Sequence, residues 1–318
     1  FSRTECCTAG TVDASSVEFN NVDFNSNTTS GDHTITGTLD VNGYLLLNNV
    51  STIAGTITVA GNLISNDADT NVDGAANIIF DGTGSQIWES TTGDPWPNGN
   101  FTIAKSAGTV TLSGALSINN SGVDLIFTGG TLDLDGNNLT VNDQFDLGTG
   151  VTLRLNGDET ISGGPDNVYA ESTIHYDESA VTTTMLDVPY WNLVVGSTGS
   201  AVFHMGNQSA LTVSGSLTIS GGTLATTNAQ TIHLSGSWIQ NNGGFFTAGT
   251  GTVILEGLGS SWNPKTLSGG SFNNLTIDDG LVGYWPLDDG SGSTLARDRS
   301  EEHTSELQSP CNLVCRLL

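Results

Sequence analysis

Positive charge is the first thing this chain lacks. It carries 7 Lys and Arg against 33 Asp and Glu, a formal net charge of −26 over 318 residues. So acidic a surface repels phosphate backbones, which argues against nucleic acid as a partner. It suits a soluble surface in salt water or one that attracts cations. Proline is scarce, at 7, and follows no collagen period. Of the 4 cysteines, Cys6 and Cys7 are adjacent, and Cys311 and Cys315 lie at the far end. Neither pair reads as a framework, so a fold without disulfides or metal clusters is expected. No apolar run approaches the ~18 residues that would span a membrane as a helix. No stretch of 11–279 keeps a helical i, i+3, i+4 apolar stripe. No Gly-rich loop runs into Lys-Ser or Lys-Thr, so phosphate cradling has no support in the sequence.

What the chain does have is glycine and alternation. Its 41 glycines are roughly twice the usual share. Short segments alternate apolar and polar residues: TITV after Gly55, TVTL after Gly108, TLRL after Val151. That pattern marks half-buried strands, and SG, NG and GG pairs mark the turns between them. Regular alternation also argues against disorder, which high acidity alone would allow.

Four times an Asn precedes an apolar tripeptide: Asn21 with VDF, Asn100 with FTI, Asn192 with LVV and Asn274 with LTI. The intervals between these anchors are similar. Trp88 and Trp262 precede Asn100 and Asn274 by the same interval. Duplicated texture of this kind points to stacked repeats. A finer rhythm lies within them. Strand starts recur at Leu211, Leu217, Leu224 and Ile232, and again at Leu132, Leu139, Phe145 and Leu153. Each series fits three short strands into one interval of the same length. Three strands per coil is the rhythm of a parallel β-solenoid, with coils ~4.8 Å apart. The expected fold is therefore all-β with parallel, β-helix-like repeats. The competing reading is tandem antiparallel β-sandwich repeats, for which the longer unit is also about the right size.

The organisation reads as a ragged stub at 1–16 and β-repeats at 17–99, 100–191 and 192–279. At 280 the texture changes to GLVGYWPLDDGSGSTLARD. Leu281, Val282, Tyr284, Trp285, Leu287, Asp288, Gly290, Ser291, Gly292 and Asp298 resemble the opening of a laminin-G-like, concanavalin-type jelly-roll domain. Members of that family commonly bind carbohydrate, often with calcium. The match covers 280–298. The repeats at about 17–279 resemble the β-strand-repeat stalks of large secreted bacterial surface proteins. The tail at 299–318, beginning RSEEHTSELQS, resembles a translated sequencing adapter and is expected to be disordered. Setting it aside removes Arg299, Arg316, Glu301, Glu302 and Glu306, and the large acidic excess remains. The natural chain is expected to extend in both directions, which leaves the absence of a targeting signal uninformative.

The best metal candidate is Asp67, Asp69, Asn71 and Asp73, followed by Gly74. Calcium takes several oxygen ligands, and alternate acidic residues in an extended loop point one way. Ile78 stands where an EF-hand would need Glu, so that motif is excluded. The bland reading is a solvated acidic turn. Asp133, Asp135, Gly136 and Asn137 form a weaker version of the same pattern. Trp88, Trp96, Trp191, Trp238 and Trp262 could stack on sugars, although recurrence at equivalent positions favours packing. His33, His175, His204 and His233 lack metal spacing. Asn100-Phe-Thr102 and Asn274-Leu-Thr276 read as glycosylation triplets only because the anchor joins a Thr-rich strand.

These features suggest a structural stalk of a secreted or cell-surface bacterial protein. It would present an adhesive or carbohydrate-binding module to carbohydrate or cell-surface ligands, without a catalytic centre or a membrane span in this segment. The alternative is a β-helix polysaccharide-degrading enzyme, either a lyase or a glycoside hydrolase. Either needs acids and bases brought together, and Lys105, Arg154 and Lys265 lie far apart in sequence. A third reading is an ice- or mineral-binding rank, from Thr34-Ile-Thr36 stacked on Thr56-Ile-Thr58.

Overall fold

A computed structural model describes residues 10–14, 18–25, 32–48, 52–66, 74–90, 96–177, 182–206, 208–226, 229–257 and 265–278. Every strand pairing recorded among them is parallel, and none of these residues is helical. Each strand pairs with one about a coil later, and about 11 coils stack into a β-solenoid. Among the described residues no helix is long and apolar enough to cross a membrane, which says nothing of strand-built spans.

One face runs nearly the whole length. It stacks Val22–Asn25, Leu45–Asn48, Leu63–Ser65, Gln86–Ser90, the end of Phe101–Leu112 and the end of Leu125–Asp133. It continues through Thr152–Leu155, Thr173–Tyr176, Asn192–Gly196, the start of Leu217–Ala225, Trp238–Gln240 and Leu267–Ser268. Flanking faces change along the axis. Leu116–Ile118, Leu139–Val141 and Ile161–Ser162 stack in the middle, and Ala210–Val213, Thr231–Leu234, Thr252–Glu256 and Asn274–Asp278 stack towards the end.

Alternation explains the core. Along the long face Val110, Leu132, Leu153, Ile174, Leu193, Leu217 and Trp238 lie in register, each buried. Period-2 geometry sends every other side chain inward, and stacking turns those residues into apolar columns. Each inward leucine stabilises the stack by about 2 kcal/mol through burial. Aromatic clusters join the apolar columns: Trp88 stacks on Phe101 at 4.9 Å and meets Trp96 edge-on at 5.7 Å. Trp238 packs edge-on to Phe246 at 4.8 Å.

The coil is the repeating unit, and its length is elastic. The step from Leu45 to its partner Leu63 is shorter than that from Leu132 to Leu153. The step from Trp238 to Leu267 is longer than either. Extra residues are absorbed at corners. Corners also require close backbone approach: a Cβ on Gly61 would lie 2.1 Å from the carbonyl oxygen of Gly43 one coil below.

Three of the four Asn anchors are corner devices. Asn21 Oδ1 accepts from Tyr44 N–H at 3.1 Å, Asn100 Oδ1 from Asp124 N–H at 2.9 Å, and Asn192 Oδ1 from Ser216 N–H at 2.9 Å. Each bond ties one coil to the next at a corner where the strand ladder is interrupted. Asn21 and Asn192 open strands of the long face, whereas Asn100 and Asn274 open strands of flanking faces. Their wide spacing therefore records a shared corner chemistry and not a stacking period. Pairing also runs without a break past both inner repeat limits, through Ile78↔Phe101 and Thr173↔Asn192.

Candidate functional site

Outward side chains of the long face also form columns. In one, Thr111, Asp133, Arg154, His175 and Val194 lie in register. Asp177 lies two residues beyond His175 on the same coil. Residues a full coil apart in sequence thus become neighbours. This is the densest charged constellation among the described residues, and it contains one of the few basic groups in the chain.

Arg154 occupies its centre. Its Nη1 is 3.0 Å from Asp133 Oδ2 on the coil below. Its Nε donates to Asp177 Oδ2 at 3.0 Å on the coil above, and its Nη2 donates to the same oxygen. The Arg154 side chain is 37 % exposed, but the two carboxylate side chains are only 13 % and 16 % exposed. Burial pushes the Asp133 carboxyl up despite Arg154 beside it. Burial pushes His175 down, so its imidazole is held neutral further into the acid range, with Asp177 pulling the other way.

Neighbouring turns are wired into the same cluster. Asp133 Oδ1 accepts from Asp135 N–H at 3.1 Å, which holds Asp135 in a left-handed conformation at φ 47°. Glu159 Oε1 accepts from Gly136 N–H at 3.2 Å and from Asn156 N–H at 2.6 Å, joining two coils. Asn137 Nδ2 donates to Leu112 O at 3.1 Å. The Asp133 carboxylate and the Asn137 amide therefore serve the turn and the guanidinium rather than converging on a point. Among the described residues no group of three or more His, Cys, Asp or Glu is placed to hold a metal ion. The expected calcium ligands Asp67, Asp69, Asn71 and Asp73 lie outside the described residues, as do Trp262, the jelly-roll opening at 280–298 and the tail at 299–318.

The other sequence candidates have clear places. Trp88, Trp96 and Trp238 point inward, at 1 %, 4 % and 0 % exposure, and pack in the aromatic clusters. Trp191 is partly exposed. His175 and His233 sit on outward sheet faces, and His233 Nδ1 contacts Glu256 Oε1. His33 lies 5.4 Å from the Phe24 ring. The expected Thr rank is not formed. Register pairs Thr34 with Ala54, Thr38 with Thr56 and Asp40 with Thr58. An irregularity between Thr34 and Thr38 shifts the ladder, so the interval between the two triplets does not superpose them. A different rank does form: Thr109, Thr131, Thr152 and Thr173 stack on the long face. Two positions along each strand, the next outward column is the charged one, so the hydroxyl rank is a single column.

Sequence reasoning missed the Arg154 cluster because its members recur only at the coil period. The signal was present: Asp133, Arg154 and His175 each follow directly on Leu132, Leu153 and Ile174, the inward residues that mark successive coils. Chemically the cluster pins three coils with one cation. Replacing Arg154 with Met should leave two shielded carboxylates facing each other and cost about 1–3 kcal/mol at neutral pH. Burial already pushes the Asp133 carboxyl up, and without Arg154 to oppose it the group would take a proton more readily in the folded state, so the loss should shrink as pH falls towards about 4. Melting of the variant and wild type at both pH values checks this; an equal difference at both would refute it. Comparison with protein-family models, curated proteins and solved structures finds no match for this chain.

Proposed function

We propose that this chain is the shaft of a secreted or cell-surface protein that holds an adhesive or carbohydrate-binding module away from its point of attachment. The observation that carries the reading is the unbroken apolar column of the long face, from Val110 through Leu132, Leu153, Ile174, Leu193 and Leu217 to Trp238. Nearest-neighbour stacking makes a body whose length grows with coil number, which suits a spacer. The outward groups support the same reading. Arg154, Asp133 and Asp177 neutralise one another between coils, and the Asn corners satisfy backbone donors of the adjacent coil. The large negative charge keeps such a surface soluble and resists self-association. The jelly-roll resemblance at 280–298 names the kind of module the shaft would present.

A shaft tolerates loss of a whole coil. Ala210 pairs with Thr231 and Leu217 with Trp238, so deleting 210–230 removes one coil and leaves Trp238 to stack on Leu193. The deletion variant should melt cooperatively and lose ~5 Å of a rod about 50 Å long, as read by small-angle scattering. A compact globule, or collapse of the fold on deletion, would count against the proposal. So would tight, saturable glycan binding by the solenoid itself.

A further inference from the structure

Lys105 is a cation of the interior. It follows Phe101 and Ile103 at the inward phase of its strand and is only 2 % exposed. Its Nζ is held by Gly82 O and by the side-chain oxygen of Gln86, itself 1 % exposed. No carboxylate among the described residues forms a salt bridge with it. Above, the corner is closed by Gly129 and Gly130; a Cβ on Gly130, at φ +86°, would lie 2.7 Å from Lys105 Cβ. The Gln86 carboxamide is equally fixed, because its Nε2 donates to Val59 O at 2.9 Å and to Gly61 O. That pattern sets which end of the amide faces the lysine.

We propose that Lys105 and Gln86 are a modification site at which the chain joins itself by an amide bond between adjacent coils. A nitrogen hydrogen-bonded to a carboxamide oxygen stands roughly 3–3.5 Å from the carboxamide carbon, and a turn of the lysine head out of the amide plane brings it above that carbon for attack. Burial pushes the Lys105 ammonium down against the pull of Asp81, which favours the neutral, nucleophilic amine. In the step, the Lys105 ammonium gives up two protons, Nζ forms a bond to Gln86 Cδ, the Cδ–Nε2 bond breaks, and Nε2 takes both protons and departs as ammonium. No oxidant, reductant or outside reactant is needed. The product removes a buried charge and links two side chains across one coil boundary. It is a covalent stitch in a stack otherwise held by hydrogen bonds and apolar contact, and it does not depend on what the solenoid carries.

Intact-mass spectrometry of the purified chain tests it. The wild type should weigh about 17 Da less than its sequence, the mass of one ammonia. After denaturation trypsin should fail to cut at Lys105, and chymotryptic digestion should release a branched peptide joining Gln86 to Lys105. Lys105→Met should show no deficit. A wild-type mass equal to the sequence, a deficit that persists in Lys105→Met, or clean tryptic cleavage after Lys105 would each overturn the proposal. The peptide readouts also separate this bond from succinimides at Asn-Gly sites such as Asn42-Gly43, which lose the same mass.

Discussion

Replacing Leu153 with Asp should unfold the middle of the solenoid. Leu153 is fully buried and stacks between Leu132 and Ile174 in the long apolar column. The substitution forfeits about 2 kcal/mol of apolar burial. It also places an unpaired carboxylate in an apolar column, at a cost of several kcal/mol more. Together these approach the total stability of an ordinary domain, about 5–15 kcal/mol. Neighbouring coils depend on each other's flat surfaces, so the damage should spread along the axis. The matched control is Thr152→Asp, one residue earlier on the outward side, with an expected change of about 0.5 kcal/mol or less. Far-ultraviolet circular dichroism during thermal melting reads both. If the two variants melted alike, the inward and outward assignment of this face would be wrong.

Raising the pH above about 10 should weaken the fold through a buried tyrosine pair. Tyr176 and Tyr190 are each 1 % exposed, and their hydroxyls lie 3.2 Å apart. Tyr190 donates to Leu186 O at 2.7 Å, and Tyr176 accepts from Leu186 N–H at 2.9 Å, so the shared bond carries the Tyr176 proton. Burial pushes Tyr176 up to about 12 and Tyr190 well above its usual value. The sign follows from proton counts. Below about pH 10 both states keep their protons and pH has no effect through this pair. Above it the unfolded chain releases protons that the folded chain retains, so stability falls as pH rises. Tyr176 alone amounts to roughly 3 kcal/mol over that window. Urea unfolding at about pH 8 and about pH 11 should show the loss, with tyrosinate absorbance from this pair appearing only on unfolding. The double variant Tyr176→Phe with Tyr190→Phe should flatten the slope, whatever it does to stability at neutral pH. An unchanged slope would mean that these phenols ionise while folded.

Much of the architecture was legible because strand geometry has a short period. TLRL at Thr152–Leu155 tells which residues point inward without any knowledge of partners. The spacing from Leu132 to Leu153 then supplies a coil length, and parallel stacking follows from it. Register was less legible. Coil length is elastic, so one irregularity after Thr34 was enough to separate Thr56 from the triplet it was expected to cover. The Asn anchors misled for a related reason. Corners on different faces solve the same hydrogen-bonding problem with the same residue, so similarity in sequence did not mean equivalence in space.

The charged cluster and the buried lysine differ in what concealed them. Arg154 meets Asp133 and Asp177 only after two coil boundaries are placed, and each boundary carries its own variation in length. Lys105 sat in plain view at the phase of Phe101 and Ile103. Its charge, which ordinarily marks an outward residue, hid the fact that alternation pointed it inward.

From the order of residues alone came the strand content, the side on which each side chain falls, and a typical coil length, because these depend on neighbours two apart and on turn chemistry. Folding in three dimensions settled which coil rests on which residue, and so which charges meet. Those contacts depend on corners whose length varies from one coil to the next, and no local pattern records how much each corner absorbs.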